Sequence, residues 1–207
     1  MNYKCVRIDK AAEPIAWSHI EAMTLSEVVG GQRPRLLTVV RACWSTANLH
    51  IRFECEDDHL VATMKQRGDP LFQEDVVEVF IDELGGGKVY REFVVSPRNV
   101  VYEALIHNDL RGDIMLDTTI RTEGLATKVE AMEAGSWSCE LSIPLTSFQS
   151  NPDIGTEWGW NLYRIDEDKQ GERHYWAWSP TGAINYHIPQ RFGKLVFSDN
   201  KPWKKKG

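Results

Sequence analysis

An all-β fold, a two-sheet antiparallel sandwich of the jelly-roll or immunoglobulin-like kind, is predicted by three features of the sequence. The first is strict alternation. Leu49, Ile51, Phe53 and Cys55 alternate with His50, Arg52, Glu54 and Glu56, and Trp137, Cys139, Leu141 and Ile143 alternate with Ser138, Glu140 and Ser142, the period of a strand with one buried face. The second is punctuation at short intervals by Asp57-Asp58, Gly85-Gly86-Gly87, Pro97 and Pro144, residues that end ladders or reverse the chain. The third is the scarcity of helical periodicity, which favours a sandwich over an α/β architecture.

In chain order, residues 1 to 34 read as irregular, with a short helix allowed near Ser18 to Val29 and stopped by Gly30-Gly31. Strands are predicted over Arg35 to Trp44 and Leu49 to Glu56. The central element is a hairpin within Gln73 to Pro97. Val77, Val79, Ile81, Phe93 and Val95 share one face, leaving Glu78, Phe80, Asp82, Tyr90 and Glu92 together on the other. Carboxylates crowded beside aromatic rings suit a ligand rich in hydroxyl groups. Further strands follow over Val100 to His107, Thr127 to Glu133, Trp137 to Ile143, Trp158 to Asp166, Tyr175 to Ser179 and Arg191 to Phe197. Nine or ten strands with no repeat and no linker predict one domain over residues 1–207.

Composition narrows the function. A net charge of −6 argues against nucleic acid as partner, because phosphate binding needs clustered Lys and Arg; the one basic cluster, Lys204 to Lys206, reads as a solvated end. No apolar run reaches the roughly 18 residues of a membrane span. The start MNYKCVRIDK lacks the hydrophobic segment of a signal peptide, so the chain as given is expected to be soluble, with an earlier removed leader left open. Cys5, Cys43, Cys55 and Cys139 have no metal-ligand spacing; free core thiols are expected ahead of disulfides.

Several separated segments, FECEDD (53–58), FQEDVVEVFID (72–82), EFVVSP (92–97), ELSIPL (140–145), WNLYRID (160–166), WAWSP (176–180) and HIPQRFG (187–193), together resemble the family 9-like carbohydrate-binding modules, a branch of the DOMON-like β-sandwiches. The resemblance implies a mono- or oligosaccharide partner, held between two aromatic rings and bonded by carboxylate, amide and guanidinium groups. Carried over, the first ring is Phe72, where the sugar binders tend to have Trp, and the second is Trp176 or Trp178. Glu78 is the carboxylate, Asn161 and Arg164 the polar partners, and Glu92 adjoins Glu78 across the hairpin. The resemblance also implies an extracytoplasmic setting.

Each candidate has a plainer reading. Trp176 and Trp178 share a strand phase, so both are platforms or both are core. Glu78 and Arg164 suit a buried ion pair equally well. Asp57, Asp58, Asp69, Glu74 and Asp75 could hold a structural calcium, as sugar-binding sandwiches often do, but they lack EF-hand spacing and read first as solvated turn acids. No cofactor is required. Haem binding, known among DOMON-like relatives, is kept open by Met64, Met132 and His107, and a ligandless interaction domain is a further alternative. Glycoside hydrolysis is disfavoured: Glu78 and Asp82 on one strand lie roughly 13 Å apart, beyond the about 5 to 9.5 Å that paired carboxylates need.

Overall fold

The computed structural model describes residues 1–8, 14–132 and 135–199; the Lys204 to Lys206 cluster and the last residue of the predicted Thr127 to Glu133 strand lie outside the described residues. In chain order the strands are β1 (Asn2–Arg7), β2 (Ala22–Thr24), β3 (Ser26–Glu27), β4 (Thr38–Trp44), β5 (Asn48–Cys55), β6 (Val76–Asp82), β7 (Val89–Val95), β8 (Val101–Asn108), β9 (Ile114–Asp117), β10 (Ala126–Ala131), β11 (Trp137–Pro144), β12 (Glu157–Glu167), β13 (Arg173–Ala177) and β14 (Gly193–Ser198). The fold is the β-sandwich that the alternation predicts.

Pairing runs along one continuous path, β10-β11-β5-β4-β1-β14-β12-β6-β7-β8-β9, with β2 on β4, β13 on β12 and β3 on β13. The path folds over at β1, so that β10-β11-β5-β4 form one layer and β14-β12-β6-β7-β8-β9 the other. β1 pairs in parallel with β14 and at its end with β4, as Val6↔Cys43; among the described residues the other pairings are antiparallel. Phe53, Leu141 and Ile143 from the first layer and Val77, Val79 and Ile81 from the second meet in one buried cluster, the core that period-two phasing predicts. All four cysteines are buried and free.

Residues 1 to 34, expected to be irregular, open with β1 over Asn2–Arg7, which pairs with β14 and β4, and two further local expectations are corrected. The stretch near Ser18 to Val29 holds only a 3-10 turn at Trp17–His19, followed by β2 and β3. Met23 and Leu25 both enter the core cluster, and a spacing of two sends side chains to one face of a strand, not of a helix. The second concerns β6, where the period-two pattern implies a core face and an outer face carrying the acids and aromatic rings. Every residue of β6 is buried, because Phe80, Tyr90, Val94, Tyr102, Tyr163 and Ile165 form a second apolar cluster on the far side of the sheet, closed by Tyr186 and Phe192. Glu78 and Glu92 therefore belong to an interior that the 179–192 segment roofs.

Candidate binding site

A cavity of about 350 Å³ opens on this far side, lined by Phe72, Glu78, Phe80, Glu92, Tyr102, Arg173, Tyr175, Asn185, Tyr186 and His187, with Ile165, Leu116 and Ile184. Its size lies at the low end for small-molecule pockets. Antiparallel register builds the floor: Glu78 stands opposite Val94 and Glu92 opposite Phe80, which makes the two glutamates diagonal neighbours about 7–8 Å apart at the backbone. Phe72 is placed by the 3-10 turn Leu71–Gln73, in which Leu71 is the buried anchor and Phe72 stays 42% exposed, meeting Tyr102 edge-on at 6.4 Å.

The opposite wall comes from β13 and the roof. Tyr175 lies under the Arg173 guanidinium at 5.4 Å, and Arg173 donates to the Phe72 carbonyl, which ties the wall to the Phe72 turn. Tyr186 stacks on Tyr163 at 4.0 Å with a 12° interplanar angle. Its hydroxyl donates to the Arg164 carbonyl at 2.9 Å, while the Tyr163 hydroxyl donates to the Tyr186 carbonyl at 3.0 Å. These reciprocal bonds fix the roof. His187 shares a 2.9 Å hydrogen bond between Nδ1 and the Tyr90 hydroxyl, and burial lowers its pKa to about 4, so the ring is neutral at ordinary pH.

Burial is the main cause of the electrostatics on the floor. It pushes Glu92 up to about 8 and raises Glu78 well above the ordinary carboxylate range, with the neighbouring Glu92 charge adding to the rise and Arg173 opposing it. Glu92 Oε2 and Arg173 Nε are both buried without a hydrogen-bond partner among the described residues. An orphan acceptor and an orphan donor thus occur on two residues of one pocket, where each would otherwise cost about 1–3 kcal/mol.

Of the residues singled out from sequence, the structure brings Phe72, Glu78 and Glu92 together here and leaves four elsewhere. Trp176 and Trp178 are 2% and 5% exposed and belong to the sandwich core. Trp178 meets Trp160 edge-on at 5.5 Å, and a Cβ added at Gly193 would fall 2.3 Å from its ring. The alternation of β13 points Trp176 inward and Tyr175 outward, so the aromatic wall of the pocket is Tyr175. Asn161 is fully buried and its amide is spent: Nδ2 donates to the Tyr163 hydroxyl and the Ser179 carbonyl, and Oδ1 accepts from the Ser179 amide. Arg164 points into the sandwich, away from Glu78, and sits over the Trp176 ring at 4.9 Å. The ion pair weighed between Arg164 and Glu78 is replaced by pairs to Asp166 at 2.6 Å and Asp57 at 3.2 Å.

The acids weighed as calcium ligands divide. Asp58 pairs with Arg35, while Asp69 and Glu74 accept from the amides of Lys65 and Thr63, as turn acids do. Asp57 and Asp75 are instead buried and gather with Asp166, oxygens of the three lying within 4.8 Å of one another. Those oxygens already have N–H partners: Asp57 accepts from Trp137, Arg164 and the His59 amide, and Asp75 from the amides of Val61 and Glu167. A donor set so occupied, with a guanidinium among the carboxylates, fits an ion-paired knot and not a calcium cage, which needs six to eight free oxygens. Of the haem candidates, Met64 packs on the second apolar cluster, Met132 is exposed beyond β10 and His107 lies on β8.

Tyr102, Arg173, Tyr175, Asn185, Tyr186 and His187 are pocket residues that sequence reasoning missed. Tyr175 had a usable signal, since it is the polar-tipped residue on the phase opposite Trp176. The roof residues lie in irregular chain, where no periodicity exists to read.

A sandwich whose second face carries a roofed, aromatic and acidic pocket defines a ligand-binding module. The family pattern described as carbohydrate family 9 binding domain-like matches residues 8–200, and the chain belongs to that family. A protein of Arthroderma benhamiae described as an extracellular protein is 27% identical over 188 residues, 84% of this chain and 85% of its own length. Among solved structures, a family 9 carbohydrate binding module from Caldicellulosiruptor kristjanssonii in complex with glucose aligns with a TM-score of 0.69 at 15% identity, covering 97% of each chain. A candidate carbohydrate-binding protein from Bacteroides uniformis aligns at 0.77 with 16% identity, over 95% of this chain and 99% of the other. At these identities the structural likeness establishes the fold.

Proposed function

We propose that this protein is a non-catalytic carbohydrate-binding module, and that a mono- or short oligosaccharide enters the pocket between Phe72 and Tyr175. One observation carries the reading: the carboxylates of Glu78 and Glu92 and the Arg173 side chain line one pocket together with the exposed Phe72 ring. Sugar hydroxyls both donate and accept and so suit a lining of acids and a guanidinium, and the apolar face of a sugar ring suits Phe72. The glucose complex of the Caldicellulosiruptor kristjanssonii module, and its cellotriose complex, which aligns over 96% of this chain, support the ligand class. The extracellular description of the fungal relative supports an extracytoplasmic setting.

The family pattern matched over residues 8–200, that of a binding module, supports binding without catalysis. Calorimetry against glucose, xylose and their β-linked oligomers tests the proposal. Binding of micromolar to millimolar order is expected, since a shallow site must offset association costs with a few contacts, and Phe72→Ala should weaken it several-fold. Absence of heat with every sugar at millimolar concentration would refute the assignment.

A further inference from the structure

The pocket floor carries a charge imbalance that a neutral sugar would leave in place. Glu78 and Glu92 are 2% and 4% exposed. The ionisable groups that face them are few. Arg173, on β13, is a cation that lowers the pKa of Glu78, but its guanidinium is turned to the Phe72 carbonyl and lies over Tyr175. The remaining neighbours are the phenols of Tyr90, Tyr102, Tyr163 and Tyr186, the neutral His187, and Asp82, whose carboxylate is committed to the amides of Gly85 and Gly87. Among the described residues no lysine lines the cavity. Two buried carboxylates against one guanidinium leave the site short of one positive charge.

Without a ligand, a proton held on the pair makes up the difference, because two carboxylates so placed cannot both ionise cheaply. With a ligand, a cationic group can replace that proton. We infer that the preferred ligand is an amino sugar with a free amine, a 2-amino-2-deoxyhexose alone or at the end of a chain, its ammonium seated against Glu78 and Glu92 and its ring against Phe72. This deepens the carbohydrate reading and rests on it. An ammonium offers three donors, enough to engage the two glutamates of the cavity lining together through charge-assisted bonds. Phe72, Tyr102 and Tyr175 line the same cavity, and an ammonium over an aromatic face is attracted further. The lining thus matches a cationic ring better than a neutral one of the same shape.

The test is calorimetry of the full chain at pH 6.5 with glucosamine, glucose, N-acetylglucosamine and methylammonium chloride, each in two buffers of different ionisation enthalpy. Glucosamine should bind at least about tenfold tighter than glucose or N-acetylglucosamine, and its binding should release a fraction of a proton up to about one per site, while the neutral sugars release none. In Glu92→Gln, and separately in Glu78→Gln, the ratio of glucosamine to glucose affinity should fall toward one, with far-UV circular dichroism confirming the fold. Glucose binding as tightly as glucosamine overturns the amino-sugar inference and leaves the carbohydrate assignment standing. Methylammonium matching glucosamine also overturns it, because the sugar ring would then contribute nothing. Binding of none of the sugars overturns this inference and the carbohydrate assignment together.

Discussion

Replacing Glu92 by Gln should change how stability depends on pH more than it changes stability itself. Folding raises the Glu92 pKa from 4.5 to about 8 through burial. For a carboxyl raised in this way, the native state binds a proton that the unfolded state has already lost over the interval between the two values, so stability falls as pH rises through it. At about 1.4 kcal/mol per pH unit, the full interval amounts to roughly 5 kcal/mol. Glu78 is raised in the same direction and adds to the loss, so at least about 4 kcal/mol between pH 5 and 9 is the expected scale. Asp75, raised to about 7 by burial, acts in the same direction between pH 4 and 7, which leaves the window from pH 7 to 9 to the glutamate pair.

Urea unfolding at pH 5, 7 and 9, followed by tryptophan fluorescence, measures this directly. At pH 5 the amide introduced at position 92 has no charge to shed and one more buried donor to satisfy, so Glu92→Gln should be equal to the natural protein or about 1 kcal/mol less stable. At pH 9 it should be the more stable of the two. The two stability curves must therefore cross. Parallel curves, or a natural protein whose stability rises from pH 7 to 9, would show that Glu92 is not buried as the structure has it.

Other substitutions separate the pocket from the core. Trp178→Ala should lower stability by about 3–5 kcal/mol, because the ring fills the core against Trp160 and Gly193, whereas Phe72→Ala should stay within about 1 kcal/mol of the natural protein and lose sugar affinity; urea midpoints and calorimetry distinguish them. Arg164→Met should cost about 3–5 kcal/mol by stranding Asp57 and Asp166, and replacing those two aspartates by Asn in the same chain should recover part of the loss in a urea titration. The four thiols should be inert to a thiol reagent until the protein is unfolded, since burial pushes Cys43 and Cys55 up to about 12 and raises Cys5 and Cys139 as well; a thiol that reacts at once in the native protein would contradict the packing.

The layers were legible because a buried face imposes period two on strands, and Phe53, Val79 and Leu141 obey it. What the alternation could not convey is that strands β6, β7 and β12 are covered on both faces. Glu78 and Glu92 break the apolar phase on the second side of the hairpin, and a polar phase ordinarily marks water; here it marks a pocket floor beneath a roof drawn from irregular chain. The same ambiguity misplaced Trp176 and Trp178. In WAWSP the tryptophans share a phase, but β13 offers aromatic residues on both phases, Tyr175 and Trp176, and nothing in five residues tells which phase faces the other layer. Arg164 supplies the missing clue in three dimensions. It shares the phase of Trp160 and Leu162 on β12 and lies over Trp176, so the register Arg164↔Trp176 sends both side chains inward, Arg164 to the Asp57 and Asp166 carboxylates and Trp176 to the core. The neighbouring pair, Ile165↔Tyr175, must then face the pocket, and with it the aromatic wall opposite Phe72.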